Sequence, residues 1–405
     1  MNILLSAYAC EPFKGSEPAV GWNWAQELSK QGHKVYVVTR KNNESNINKY
    51  YKNKPKKIKF IYYDLPNLFI KLFSNKGKSN PLSFLYFFFW QIGIYFVIKP
   101  YIKKIKFDYI HHVTFVSLRY PSFLCYLNVP FLLGPVAGGD KVPIKLRKKF
   151  FLKNKFFEYL RDLINYLIKF SPLHTNMYRN SKKIFYNSNE TKELIPKKFY
   201  YKSKKMLAIS IDENEISKKP QEIKKTINIC YVGRLEQLKG IDILIDTFYL
   251  IKSKNKNVNF NIVGTGTHDL QIKKKINNLK LGKDIKWKKY MPRIKLLRFY
   301  KQNNFLIFPS LRDSGGMVLL EAMSKGTVVA GLNIGGPNEI INKYTGVKIN
   351  TKNYSYNDII KKLSNEILLL INNKKRYKQI SKNCLNRVYE FSMKKKINYI
   401  YKKYY

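Results

Sequence analysis

Residues 228–248 read NICYVGRLEQLKGIDILIDTF. The first five positions are mostly apolar and β-favouring, and Gly233 stops them. Ile241, Leu244, Ile245 and Phe248, with Ile251 just beyond, then recur at helical spacing and give one apolar face. A strand therefore runs through a Gly-Arg-x-x-x-x-Lys-Gly turn into an amphipathic helix, which is the repeating step of a parallel sheet.

The same grammar extends in both directions. Further strands are expected near 260–263, 306–309 and 328–330 in the second half, and near 3–7, 35–39, 58–62, 109–112, 131–133 and 184–187 in the first, with helices between them. The fold class is α/β with parallel sheets. A chain of 405 residues supports two domains, each with its own core. We expect residues 1–211 as the first and 226–379 as the second, joined by the polar, Pro220-containing stretch 212–225. Residues 380–405 read as a basic helix that returns to pack on the first domain.

Composition narrows the class. An apolar share of 45% with 15% aromatic residues marks a globular chain. Cys10, Cys125, Cys230 and Cys384 are far apart and none has zinc-like spacing, which fits a reducing cytosol. The N-terminus has no basic segment before its apolar run and reads as a strand rather than a signal peptide. The formal charge of +50, from 76 Lys and Arg against 26 Asp and Glu, draws the protein to anionic surfaces. Lys, Asn, Ile and Tyr are abundant together, as when codons drift in an A/T-rich genome, so a solvated basic surface explains much of that charge. No helix-turn-helix, zinc module or Lys/Arg-Gly-aromatic strip accompanies it, and nucleic acid is not an expected partner. Residues 81–98, PLSFLYFFFWQIGIYFVI, are uncharged over about the length of a membrane span. Gln91 and Gly93 at the centre, and a βα pattern on both sides, favour a buried or membrane-dipping helix.

Four glycine turns fall where strands end and helices begin, the edge at which open α/β sheets bind ligands. The first, Gly15-Ser16-Glu17-Pro18-Ala19-Val20-Gly21-Trp22, lets backbone approach a ligand at the start of a helix; a plain tight turn is the other reading. The second carries Gly233, Arg234 and Lys239, a fork and a point charge suited to a diphosphate, although in so basic a chain both also read as surface charges. The third is Val263-Gly264-Thr265-Gly266. The fourth, Pro309-Ser310-Leu311-Arg312-Asp313-Ser314-Gly315-Gly316, leads into a helix from Met317 that carries Glu321 and ends at Gly326. Asp313 and Glu321 are carboxylates able to accept ribose or sugar hydroxyls without proton transfer; a helix-start acid and an exposed Glu are the bland alternative.

Taken in order from 232 to 331, these residues resemble the donor domain of family-4 (group 1) retaining glycosyltransferases. The shared pattern is strand-Gly-Arg-x-x-x-x-Lys-Gly, then Gly-x-Gly, then an acid, seven residues and Glu-Ala-Met-x-x-Gly. The first half resembles a subgroup of that family through Ala9-Cys-Glu-Pro-x-x-Gly-Ser-Glu-Pro18 and Gly134-Pro-x-x-Gly-Gly139. The resemblance implies a GT-B architecture of two Rossmann-like, doubly wound domains facing across a cleft. It implies that Arg234 and Lys239 hold the donor diphosphate, Glu321 the ribose, and Asp313 with the backbone of Ser314, Gly315, Gly316 and Met317 the donor sugar, with Gly15, Gly233, Gly264 and Gly266 lining the site. Asp313 stands where the family usually has Glu, and Gly134-Pro135 stands where many members have a histidine. His112, in Tyr109-Ile110-His111-His112-Val113-Thr114, is the nearest alternative catalytic histidine, with a structural histidine equally open.

No Asp-x-Asp motif or His/carboxylate cluster is present, so no metal or other cofactor is expected, and cations stabilise the leaving diphosphate of a UDP- or GDP-sugar. The resemblance implies front-face transfer of a hexose-type sugar with retention. The expected acceptor is a glycan or lipid-linked glycan in cell-envelope polysaccharide synthesis. Lys145-Leu-Arg-Lys-Lys149 precedes Phe156, Phe157, Leu160, Leu163, Ile164, Leu167 and Ile168 at helical spacing; packing against its own domain is the favoured reading, and an anionic membrane, with peripheral attachment to the inner face of the cell membrane, is the other. Two competing functions stand beside transfer: a sugar-nucleotide epimerase, marked by a donor consumed without acceptor, and a basic membrane- or nucleic-acid-binding protein, marked by function that survives Arg234→Ala and Glu321→Ala.

Overall fold

The computed structural model describes residues 1–73, 82–223 and 225–403. Residues 81, 224, 404 and 405 of the stretches discussed above lie outside that description. The chain forms two compact units: Met1–Gly139 with Arg161–Ala208 and Lys396–Tyr405, and Asp140–Leu160 with Ile209–Lys395. These limits differ from the expected 1–211 and 226–379. Residues 140–160 go with the second unit, and the part of the terminal segment assigned to the first begins at 396 rather than 380.

The first unit is built on seven parallel strands: β1 (Asn2–Ala7), β2 (Lys34–Thr39), β3 (Ile58–Tyr62), β4 (Tyr109–Thr114), β5 (Phe131–Val136), β6 (Ser181–Tyr186) and β7 (Ser203–Lys205). Their order is β3-β2-β1-β4-β5-β6-β7. The apolar stretch at 82–104 forms the helix Leu82–Lys104, whose segment Phe84–Lys104 is long and apolar enough to cross a membrane. One of its faces, with Tyr86, Phe87, Trp90, Ile94 and Ile98, packs into the core of this unit beside Val38, Ile110 and Leu133 of the sheet.

The second unit has six parallel strands: β8 (Ile227–Val232), β9 (Val258–Val263), β10 (Ile285–Lys288), β11 (Phe305–Phe308), β12 (Val328–Leu332) and β13 (Gly346–Ile349), in the order β10-β9-β8-β11-β12-β13. The helix Ile241–Lys254 buries the apolar face expected of it, from Ile241 through Leu244, Ile245 and Phe248 to Ile251. Three strands, β7, β10 and β13, lie at sheet edges and were not foreseen. Their sequences, SKK, IKWK and GVKI, carry lysines that suit an exposed edge and are too short for an alternation to stand out.

The stretch read as a linker is not a free connection over its described residues. Gln221 donates from its side chain to the Lys325 carbonyl and the Thr327 hydroxyl, both at 3.0 Å, and the Ser217 amide donates to the Ser324 carbonyl at 2.8 Å. Part of its polarity serves hydrogen bonds within the second unit.

Candidate donor site

Beside β8 the strand order reverses: β9 and β10 follow on one side, β11, β12 and β13 on the other. Loops leaving such a strand pair diverge and open a crevice at the carboxyl edge of the sheet. The glycine turns of the second unit meet there. A side chain on Gly264, where φ is +147°, would place its Cβ 1.9 Å from the Gly233 carbonyl oxygen, and one on Gly240, at φ +68°, would come 2.0 Å from that of Pro309. The turns after β8, β9 and β11 therefore touch backbone to backbone, and glycine permits both the approach and the left-handed conformation. Gly266 packs in the same way on the Leu235 carbonyl.

Charge joins the loops after β8 and β11. Lys239, at the end of the short turn Gln237–Lys239, places Nζ 2.5 Å from Asp313 Oδ2. The other carboxylate oxygen accepts the Gly315 and Gly316 amides at 2.9 and 2.8 Å. Burial raises the Asp313 pKa, but the Lys239 charge and these hydrogen bonds outweigh it and leave the group below its ordinary value. Asp313 is thus a fixed anion that orders the backbone ahead of the helix Met317–Met323, with Gly316 at φ +78° as its N-cap. Arg234 lies farther out: its side chain is 65% exposed and pairs with Glu236 at 2.9 Å.

Glu321 is buried on that helix, and Arg293 Nε donates to its Oε1 at 3.0 Å. The same guanidinium grips Glu215 in a fork, at 2.5 and 2.6 Å. Burial raises the Glu321 pKa and the Arg293 charge restrains that rise, leaving the group above its ordinary value. The bland reading of Glu321 as an exposed helix residue does not hold, because its carboxylate is 5% exposed and tied to Arg293. It is a desolvated acceptor held in one orientation.

Several participants were not foreseen. Arg293 and Glu215 carry no spacing signal, since each is one charge among many in its segment. Asp140 accepts the Ser314 hydroxyl at 2.6 Å, and it directly follows the Gly138-Gly139 turn already singled out. Gly335 and Gly336 pack on the carbonyls of Asp313 and Gly315, and the Gly336 amide donates to the Asp313 carbonyl at 2.8 Å. That pair follows β12 as the other turns follow their strands, so the rule that found four turns also reaches a fifth.

Gly15 and His112 belong to the first unit. Gly15 sits before the helix Ser16–Lys30 at φ −94°, with open space where a Cβ would stand, so the turn makes no demand for glycine. His112 lies within β4 rather than beyond its end and is buried. Its Nε2 donates to the Phe115 carbonyl at 3.3 Å, its Nδ1 has no partner, and burial lowers its pKa to about 4. His111 beside it is lowered to about 3 by burial; its Nε2 donates to the Gly134 carbonyl at 2.6 Å and its Nδ1 accepts the Tyr401 hydroxyl at 2.6 Å. Among the described residues no group of three His, Cys, Asp or Glu side chains is arranged to hold a metal.

The profile of the glycosyl transferases, group 1, matches residues 212–387, which contain every one of these turns from Gly233 to Gly336. Residues 212–387, somewhat under half of the chain, are thus similar to the group 1 glycosyl transferases. Curated relatives match in part. An uncharacterized glycosyltransferase of Methanocaldococcus jannaschii is 31% identical over 169 residues, 41% of this chain and 44% of the relative. The capsular polysaccharide biosynthesis glycosyltransferase CapM of Staphylococcus aureus is 27% identical over 187 residues, 44% of this chain and 46% of the relative. The matches thus span less than half of each relative. Among solved structures, Anabaena HepE in complex with UDP aligns over 100% of both chains with a TM-score of 0.65 at 15% identity. That likeness places the group 1 half within a GT-B fold of two Rossmann-like domains.

Proposed function

We propose that this protein is a retaining glycosyltransferase that moves a sugar, of hexose type, from a nucleotide diphosphate sugar to a glycan or lipid-linked acceptor. The observation that carries the reading is the Lys239–Asp313 pair joining the loops after β8 and β11 at the strand-order reversal, with the Arg293-held Glu321 on the helix that follows the second loop. In this reading Glu321 accepts the ribose hydroxyls, and Arg293 is a positioning residue that keeps its carboxylate ionised. Lys239 and Arg234 neutralise the diphosphate, with Lys239 exchanging part of its bond to Asp313 for phosphate oxygen. The Asp313-ordered amides of the 314–317 turn and the Asp313 carboxylate receive the sugar.

In the transfer step the bond from the anomeric carbon to the phosphate oxygen breaks while the acceptor oxygen bonds to that carbon from the same face. The acceptor proton passes to the leaving phosphate, whose new charge Lys239 and Arg234 stabilise. His112 has no part in this scheme, because a buried neutral ring with a strongly lowered pKa is a poor proton acceptor near neutrality. No metal is assigned. The name of CapM supports an envelope polysaccharide as product, and the UDP in HepE makes UDP the first nucleotide to test. In this reading the enzyme works on the cytoplasmic side, where nucleotide sugars are made.

The test is a thermal-shift screen with UDP- and GDP-sugars, since a ligand bound only by the folded state raises its stability. A shift of a few degrees with one nucleotide class is expected. No shift with any of them contradicts the proposal.

A further inference from the structure

The helix Leu152–Leu167 is inverted with respect to the usual amphipathic pattern. A helix on a globular surface normally buries its apolar stripe and exposes its polar one. Here the buried positions are polar: Glu158 and Asn165 are 3% and 2% exposed. Their neighbours on that face also turn inward to make bonds. Asn154 donates to Gln237 Oε1 at 2.7 Å, Glu158 pairs with Arg312, and Arg161 and Asn165 donate to the Gly138 carbonyl at 2.9 and 3.2 Å. The opposite stripe, from Leu152 through Phe156, Leu160 and Leu163 to Leu167, recurs at helical spacing and faces out, with Leu152 82%, Phe156 64% and Leu163 53% exposed. Of the face expected from Phe156 to Ile168 to pack against its own domain, only Ile168 is buried in a core; the rest faces out. The inward bonds hold the helix with its greasy side outward, and an exposed apolar stripe of this extent marks an interaction surface.

Charge selects the occupant. Exposed Lys145, Lys148 and Lys153 stand at the start of the stripe and Lys169 just after it, in a chain of formal charge +50. A second copy of the chain would bring like charge to this face, whereas an anionic bilayer brings the opposite sign. We propose that this face docks on an anionic phospholipid surface, with the apolar stripe lying among the headgroups and acyl boundary and the lysines at its ends on lipid phosphates. The proposal is independent of the sugar-transfer reading, because it uses none of the residues assigned to the donor.

The test is flotation of the full chain with vesicles of phosphatidylcholine alone or with about 30 mol % phosphatidylglycerol. Wild type should float with the anionic vesicles at least about tenfold more than with the neutral ones, and lose most of that excess at about 0.5 M salt. The double variant Phe156→Ser, Leu163→Ser changes only exposed positions and no charge; it should lose at least about tenfold in vesicle binding. Its circular dichroism and melting temperature should stay those of wild type. Equal flotation with both vesicle types, or undiminished flotation of the double variant, overturns the proposal. So does light scattering that shows a wild-type dimer which the same variant dissolves without vesicles, since that assigns the face to a second copy.

Discussion

Both sheets reverse their order beside the first strand, at β1 and β4 in one unit and at β8 and β11 in the other, and the loops leaving the two positions are joined by different chemistry. Between β8 and β11 the link is ionic and glycine-tight: Lys239 on Asp313, Gly240 on the Pro309 carbonyl. Between β1 and β4 it is uncharged or backbone-directed. The Thr114 hydroxyl donates to the Ala9 carbonyl at 3.1 Å and accepts the Ala9 amide at 3.0 Å, while Glu17 accepts the Val116 amide at 2.8 Å. Fixed charges that can be shared with a phosphate thus concentrate in the second unit. The first joins its loops through the Thr114 hydroxyl, backbone groups and the Glu17 carboxylate, with no cation in the link.

The sharpest way to break this contrast is to add one methyl group to a glycine in each unit. Gly264→Ala meets backbone at 1.9 Å in a conformation that disfavours a side chain, so it should cost about 3 kcal/mol or more and abolish nucleotide-sugar binding. Gly15→Ala meets open space and should stay within about 0.5 kcal/mol of wild type. Calorimetric melting of the two variants checks both; comparable losses would remove the difference between the turns.

Arg293→Ala should come next, at roughly 3 kcal/mol, because it strands the buried Glu321 carboxylate and frees Glu215. The sign with pH follows from the direction of the shift. A carboxyl whose folded pKa is raised penalises the fold as it ionises, so the loss should be fullest at neutral pH and partly recovered as pH falls below the folded value. Nucleotide affinity, which needs the ionised carboxylate, should begin to fall at a higher pH in the variant than in wild type. A titration of binding against pH that is identical in the two would remove Arg293 from the role assigned to it.

The smallest expected effect belongs to the first unit. His111 and His112 are lowered to about 3 and about 4, against an unfolded value near 6.5, so the unfolded chain binds protons that the folded one does not. Stability should be level above about pH 6.5 and decline as pH falls from there toward the folded values. Substituting His112 by Gln should flatten part of that decline and remove no inflection from the pH–rate profile. An activity profile that loses an inflection in His112→Gln would restore the histidine as a catalytic residue.

What the sequence made legible follows from the physics of each signal. Central strands were readable because buried parallel strands are continuous apolar runs, and the helix 241–254 because its apolar period is strict. Lys-rich β7 and β10 were not, since an edge strand lacks that signature. Glycine turns at strand ends exposed Gly233, Gly264 and the Asp313 loop, and stopping at four missed Gly335 and Gly336. Arg293, Glu215 and the inverted helix were beyond reach for another reason: a charge far away in the chain, or the direction in which an amphipathic helix faces, depends on tertiary placement. Periodicity found the apolar stripe on residues 156–168 and gave no sign of which side it would take.

The most direct measurement is a calorimetric titration of wild type and Glu321→Ala with UDP and GDP, supported by circular dichroism to show that the variant is folded. A donor site beside β8 predicts binding of one nucleotide by wild type and a loss of at least about tenfold, some 1.4 kcal/mol, in the variant. Equal affinity of the two proteins for the nucleotide would contradict it.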